Sequence, residues 1–600
     1  MIDIVKQALA FVVLGGMMAS VLVLRDQGNP PAAQRVDSSE ALKKYDFYLQ
    51  EVSKDCGINF VHESTKNLDE KLQHILPIVA GMSAGVSVVD FDRDGWPDLF
   101  VVNSREGSQC HLYHNNHDGT FTDVAEKMGL ADLNRAGTGI CTGAVWGDYD
   151  NDGYEDVLIY KWGKPELFHN DKGKGFTRVT ESAGDLPKWV NANSAIWVDF
   201  DCDGKLDLFI AGYWPSDLDL WHLPSSKVMP ESFEYAKNGG RKYLLRNKGD
   251  GTFEDVTKEA GITSTRWTLA TAAANLTGNR YPDLFLSNDY GVSELYANRD
   301  GKHFEEIGGP CRVGDTPKSG MCTAFGDIYN QGRFCIYVTN ITEPGKLVQH
   351  NNLWVPGTEQ MGEPTGYTNK ADSIQVGSGG WSWGAQFGDL NNDGWLDLYL
   401  VNGYISADPK KDYWYDYSKI AGGHSIIISD AKNWPAIKDQ SLSGFQQKCV
   451  WINRNREFVK FIDVAQAVGV TDQYDGRSVA LVDLSNRGVL DVVVANQNGP
   501  LLIYKNTVKP DNQWVQFDLE GTASNRSAIG AEVELQWDGR KQIQVVSGGC
   551  GYASQNMRRL HFGLGPNPEV VQAVIRWPSG KTQYIKAPAV RTVHHIKEPS

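Results

Sequence analysis

Short apolar runs alternate with acidic, glycine-bearing loops through most of the chain, and one unit recurs at intervals of roughly 50 to 95 residues. The clearest copies are DFDRDGWPDLFVVN from Asp90, DYDNDGYEDVLIY from Asp148, DFDCDGKLDLFIAGY from Asp199 and DLNNDGWLDLYLVNG from Asp389. Weaker copies begin at Asn275, Asp327 and Asp483. After each loop comes an apolar strand (99–103, 208–212), then a second strand ending in Asn, as in HLYHNN, ELFHND, KYLLRN, ELYANR, CVWINR and LLIYKN. A Gly turn and an aromatic strand follow in DGTFTDV, GKGFTRV, DGTFEDV and DGKHFEEI. Four short strands per unit, punctuated by Gly, Asn and Asp, make a propeller blade. Seven units predict an all-β, seven-bladed β-propeller over 57–506, followed by a small β-sandwich-like domain over 511–598. The seventh unit lacks an aromatic fourth strand, and closure removes exposed sheet edges. Residues 58–63 (INFVHE) are predicted to supply that strand.

The acidic loops carry the chemistry. D-x-D-x-D-G-x-x-D places oxygens at positions 1, 3, 5 and 9 and a backbone carbonyl at 7, with Gly at 6 for the tight turn. Hard oxygens on a flexible loop suit Ca²⁺, whereas Mg²⁺ asks for stricter octahedral geometry. The predicted ligands are Asp90, Asp92, Asp94, Trp96 and Asp98; Asp148, Asp150, Asp152, Tyr154 and Asp156; Asp199, Asp201, Asp203, Lys205 and Asp207; and Asp389, Asn391, Asp393, Trp395 and Asp397. Residues at position 7 contribute their carbonyls. The flanks are β-like, so an EF-hand is excluded. The three weak copies have lost most of their carboxylates and are expected to be metal-free, with Asp491 tolerant of substitution. About four structural Ca²⁺ are therefore expected.

Composition sharpens this picture. The net charge is −16, and fifteen Asp sit in the four strong loops. The acidity is a ligand inventory, and it excludes the basic stripe that a nucleic-acid partner needs. Nine Cys are scattered without a C-x-x-C, which excludes a zinc ribbon. Cys311 and Cys322 bracket one Gly-rich loop, as a pair or as separate thiols. Residues 8–24 are uncharged and apolar, within a 1–25 signal anchor or transmembrane segment; a cleaved signal peptide is the alternative. Both readings export the remainder to the periplasm or cell surface. Residues 26–56 read as a linker.

The loops and their flanking strands resemble the FG-GAP/VCBS repeats of integrin α-subunit propellers. In the tail, SNR-x-AIGA, G-C-G-Y-x-S-Q, HFGLG and WPSG, in that order, resemble the ASPIC/UnbV domain. Together they cover nearly everything beyond residue 57 and make the chain similar to the cartilage acidic protein-like family, bacterial type. The resemblance implies an extracellular or envelope protein without an established reaction. One namesake from an enediyne biosynthesis cluster keeps an enzymatic or accessory role open, in the propeller channel or a tail pocket.

No nucleophile elbow, zincin helix, P-loop or dinucleotide fingerprint is present. The histidines of HLYHNNH read as exposed turn residues, with His111 and His114 on opposite faces. Two long insertions, 213–241 and 404–448, fall in the turn after the second strand, on the face opposite the acidic loops. Both are rich in aromatics. Trp214, Trp221, Tyr413, Trp414, Tyr415, Tyr417 and Trp434 are the expected contacts for a protein or glycan at the cell envelope. Membership of a larger envelope complex also fits the tether.

Overall fold

The computed structural model describes residues 37–357, 366–421, 423–454 and 460–600; the expected anchor at 8–24 lies outside them. Among the described residues no helix is long and apolar enough to cross a membrane. The chain is all-β, and its repeats fold as antiparallel sheets of four strands, with the second and third repeats joined in one eight-stranded sheet. The first such sheet runs Val86–Val89, Asp98–Val101, His111–Asn115 and Phe121–Asp123.

An Asn near the end of the third strand explains how most units join; the third strand of the fifth, Asn352–Pro356, lacks it. Asn170 donates to the carbonyl of Phe91 in the unit before it (2.9 Å) and to Glu155 in its own (3.0 Å). Asn247 reaches Tyr149 (2.7 Å), Asn298 reaches Phe200 (2.8 Å), Asn453 reaches Ile328 (3.1 Å) and Asn506 reaches Leu390 (2.7 Å). Asn115 of the first unit donates to Leu484 of the seventh (2.9 Å), closing the ring. Buried carbonyls at these six seams thus find donors, as they must when water is excluded.

Closure of the seventh sheet differs from the expectation. Its fourth strand is Phe47–Glu51, paired antiparallel with Leu502–Val508 from Phe47↔Val508 to Glu51↔Tyr504. Phe47 and Leu49 are fully buried there. The segment 58–63 follows that strand and makes only an isolated bridge, Val61↔Pro500. FYLQEV is the aromatic strand, and CGI after it matches the MGL that follows FTDV in the first unit. The expected linker is therefore structured from residue 37. Ser38–Tyr45 is a helix capped by Asp37, which accepts from Ser39 N (2.9 Å).

The tail forms a three-stranded sheet (Asn512–Glu520, Leu560–Pro566, Val593–Lys597) and a four-stranded sheet (Glu532–Trp537, Arg540–Val545, Val570–Arg576, Thr582–Lys586). It is not a detached module. The glycine-rich loop between its sheets enters the ring, where Ser554–Gln555 pairs parallel with Val86 and Ser87. Gln555 accepts from Trp146 N (2.8 Å), Gly548 accepts from Trp197 N (3.0 Å), Gly551 N donates to Thr323 (2.8 Å) and Asn556 accepts from Leu481 N (2.9 Å). One loop thus touches inner strands of five units. At Gly548 a Cβ would lie 2.0 Å from the Trp197 carbonyl, so glycine permits the approach. Tyr552 completes the plug, donating to the Met82 carbonyl (2.7 Å).

Candidate metal centres under the tail

All four strong loops fold alike. In the second, Asp152 N and Gly153 N donate to the two oxygens of Asp148 (3.0 and 2.7 Å), and Tyr154 N donates to Asp152 (2.9 Å). Asp156 then accepts from Tyr149 N (3.1 Å) and from Asn170 N (2.8 Å). Equivalent bonds recur around Asp90 and Asp98, Asp199 and Asp207, and Asp389 and Asp397. Positions 1 and 9 therefore accept the bonds that close the loop, while positions 3 and 5 accept neighbouring backbone N–H groups and add further oxygens beside them.

Oxygens of Asp90, Asp92 and Asp98 lie within 4.8 Å of one another, as do those of Asp148, Asp150 and Asp152 and those of Asp199, Asp201 and Asp203. The fourth loop replaces one carboxylate by Asn391. Burial, reinforced by neighbouring carboxylates, pushes Asp98 up to about 9, Asp148 to about 8, and Asp156 and Asp199 to about 7. Asp207, Asp389 and Asp397 are raised by the same causes. Crowded carboxylates with several donors fit a hard divalent cation, whose charge would reverse these shifts.

Basic side chains also reach the loops. His114 Nε2 lies 3.1 Å from Asp92, and His117 Nε2 lies 2.6 Å from Asp94. His111 instead pairs with Asp123 (2.6 Å). The expected split between His111 and His114 is present, but His114 and His117 line the first acidic loop rather than standing apart from it. His169 holds the same place in the second unit, 3.3 Å from Asp150 and 3.2 Å from Asp156, and the latter's carboxylate pushes it up to about 9.

The weak copies show what remains when the cation's ligands are lost. In the seventh unit Arg487 occupies position 5 and pairs with Asp491 (3.0 Å). Asp491 also accepts from Leu484 N (3.3 Å) and Asn506 N (2.8 Å). It is fully buried, so the expectation that it tolerates substitution fails: position 9 is a structural pin whether or not metal is present.

The tail lies over this face. Ser527 Oγ accepts from Asp148 N (3.0 Å), Arg526 N donates to Asn151 (2.8 Å), and Asn512 donates to the Asn391 carbonyl (2.7 Å). His561 meets Asn392 (2.7 Å), and Arg559 donates to Asn486 (2.6 Å). Within the tail's motifs, Arg526 and Gln555 make contacts to the propeller.

The expected recognition aromatics are displaced by the structure. Trp214, Tyr413, Trp414, Tyr417 and Trp434 are buried in the largest hydrophobic core, and Trp221 is half-buried against it. Phe233 of one insertion packs on Tyr417 and Trp434 of the other, with ring centroids 5.8 and 5.9 Å apart. The backbones also join, Met229 N to Ser429 (3.1 Å) and Ala431 N to Ser226 (2.8 Å). Large apolar rings gain more from mutual burial than from water contact, so the insertions cap the ring instead of presenting these rings. Tyr415 alone of the set is open, at 75% exposure. Cys311 and Cys322 are separate buried thiols, the latter bonded to the Ala385 backbone N (3.3 Å).

Beside the cap, on the face away from the acidic loops, a cleft of about 1050 Å³ opens between the sixth and seventh units. Phe445 (40% exposed) and Tyr474 (48% exposed) flank Gln447, Gln497, Asn498 and Asp475. No spacing in the sequence announces it, because its walls come from six separate segments.

Residues 90–159 and 148–210 match the FG-GAP-like repeat family, and residues 521–600 match ASPIC and UnbV. Human cartilage acidic protein 1 is 30% identical over 529 residues, covering 83% of this chain and 69% of that protein. The Mus musculus protein is 20% identical over 520 residues, covering 83% and 71%. Among solved structures, the BP39L lectin of Burkholderia pseudomallei is similar at 12% identity and a TM-score of 0.38, covering 72% of this chain and 97% of that one. The V. cholerae biofilm matrix protein Bap1 is similar at 9% identity and a TM-score of 0.27, covering 90% and 76%. Both are distant likenesses of shape. With its repeats, its tail motifs and a 30% identical relative spanned over most of its length, the chain belongs to the cartilage acidic protein 1 family.

Proposed function

We propose that the protein is a calcium-stabilised, seven-bladed propeller that acts as a binding or scaffold protein at the cell envelope, exported and tethered through residues 8–24. The carrying observation is the division of labour between faces. Acidic loops and tail occupy one face, while the other keeps an open cleft with aromatic rings beside amide and carboxyl groups. Flat rings stack on the apolar faces of sugars or on protein side chains, and Asn, Gln and Asp match hydroxyl and amide groups. The cleft, not the buried aromatic cluster, is the proposed site for a glycan or protein segment. Calcium at the four loops would neutralise carboxylates that the fold crowds together and would fix the surface on which the tail rests.

The enzymatic reading loses the channel, because residues 548–557 occupy the ring axis. The test is a screen of envelope glycans and co-purification from native membranes with the wild type and with Phe445→Ala/Tyr474→Ala. Binding that the double variant abolishes supports the cleft, and binding unchanged by it removes the cleft from the reading. Chelation with EGTA should lower the melting temperature, and no shift sinks the structural role of calcium.

A further inference from the structure

Between the tail's four-stranded sheet and the third and fourth units lies a smaller crevice of about 160 Å³. On that measure one water takes about 10–15 Å³, so a compact organic molecule fits. Its walls include Ile196, Ala273, Ile529 and Trp577, the last two from the AIGA and WPSG motifs that the metal face does not explain. Into it faces Glu532, which is 7% exposed.

Glu532 is in an unusual position. Arg576 stands directly opposite it in the strand register, yet the guanidinium donates to Glu534 instead (3.1 Å). Among the described residues the Glu532 carboxylate has no hydrogen bond and no cation within 4.0 Å. Burial pushes it up to about 7. Carboxylates this buried are normally paired, since losing hydration without compensation is costly. At the same crevice Arg280 is exposed, interacts with the Cys202 thiol and has no carboxylate within 4.0 Å among the described residues; its ring contact is Tyr281, 5.2 Å away. A buried anion without a hydrogen bond and a wall cation without a carboxylate partner, not joined to each other, face the same partly apolar space.

We propose that this crevice binds a small apolar amino acid, with its ammonium group on Glu532, its carboxylate on Arg280 and its side chain against Ile196, Ala273 and Trp577. The ligand would bridge propeller and tail, since Glu532 belongs to one and Arg280 to the other. The site is separate from the cleft in the preceding section, while its wall includes Asp199 and Cys202 of the third acidic loop.

The test is calorimetric titration of the purified full chain, at fixed calcium, with L-alanine, L-valine and L-leucine, and with isobutylamine and isobutyrate as half-ligands. One of the amino acids should bind saturably at or below about 1 mM. Glu532→Gln and Arg280→Ala should each weaken it about tenfold or more, and each half-ligand should bind correspondingly worse. Ala273→Leu, which fills the space without touching either charge, should also block binding while leaving the far-ultraviolet circular dichroism intact. Absence of binding to all three amino acids up to about 10 mM overturns the proposal. So does binding unchanged by Glu532→Gln, or isobutylamine binding as tightly as valine.

Discussion

Two substitutions separate the role of a loop carboxylate as scaffold from its role as metal ligand. Asp491→Ala, in the seventh unit, removes a buried acceptor of two backbone N–H groups and the partner of Arg487. Stranding those donors should cost about 3–5 kcal/mol, the range for breaking a buried pair. Because this loop has no cation ligands at positions 3 and 5, the loss should be equal in calcium and in EGTA. Asp150→Ala, in the second unit, removes an exposed carboxylate whose bonds are to Asp152 N (3.1 Å) and His169 (3.3 Å). In EGTA it should cost under about 1 kcal/mol, as for other exposed pairs. In about 2 mM calcium it should forfeit one site's linkage, about 0.6–1.8 kcal/mol for dissociation constants typical of extracellular sites. Urea denaturation of the purified protein in both media measures all four numbers. An Asp150→Ala penalty that is the same with and without calcium would refute the ligand assignment. An Asp491→Ala penalty below about 0.5 kcal/mol would refute the pin.

Leu49→Ala should cost about 2–5 kcal/mol by denaturation and exposed Val61→Ala under about 0.5, and the reverse order would restore 58–63 as the closing strand. Trp434→Ala should cost about 3–5 kcal/mol without changing ligand capture, and lost capture at full stability would return that ring to the recognition surface. Glu532 lies above its unfolded value, so the stability tied to it is full at acid pH and falls away as pH rises through about 7. Glu532→Gln should flatten the decline in melting temperature between about pH 4.5 and 7, and an unchanged slope counts against the buried carboxylate. Gly548→Val should drive the plug from the Trp197 carbonyl and open residues 547–559 to limited proteolysis; an unaltered digest would show that the ring does not need glycine there.

The repeat was legible because its period and its loop residues are local. D-x-D-x-D-G-x-x-D and the strand-ending Asn each lie within a few positions, so unit boundaries follow directly. What the sequence hid is non-local. Nothing in Asn115 reveals that its amide meets Leu484, 369 residues away. The aromatic run at Phe47 and the apolar run at Ile58 fit the same pattern, and only pairing with Leu502–Val508 distinguishes them. Tyr413, Tyr417 and Trp434 have the composition of a recognition loop. Their burial depends on a second insertion, some 200 residues upstream, that supplies Phe233. Asp491 was misjudged because its loop lacks ligands, although position 9 serves the backbone in every intact loop.

Closure by Phe47–Glu51 has a consequence for biogenesis. The strand's partner, Leu502–Val508, is synthesised roughly 450 residues later, about half a minute to a minute and a half at ordinary elongation rates. Throughout that interval an aromatic edge strand stays unpaired, the condition under which chains aggregate or exchange strands between copies. Holding factors in the compartment of folding should therefore matter more for yield than the final stability does. Interruption anywhere before residue 502 gives an open ring rather than a smaller one, so damage to this protein should be all-or-none along most of its length.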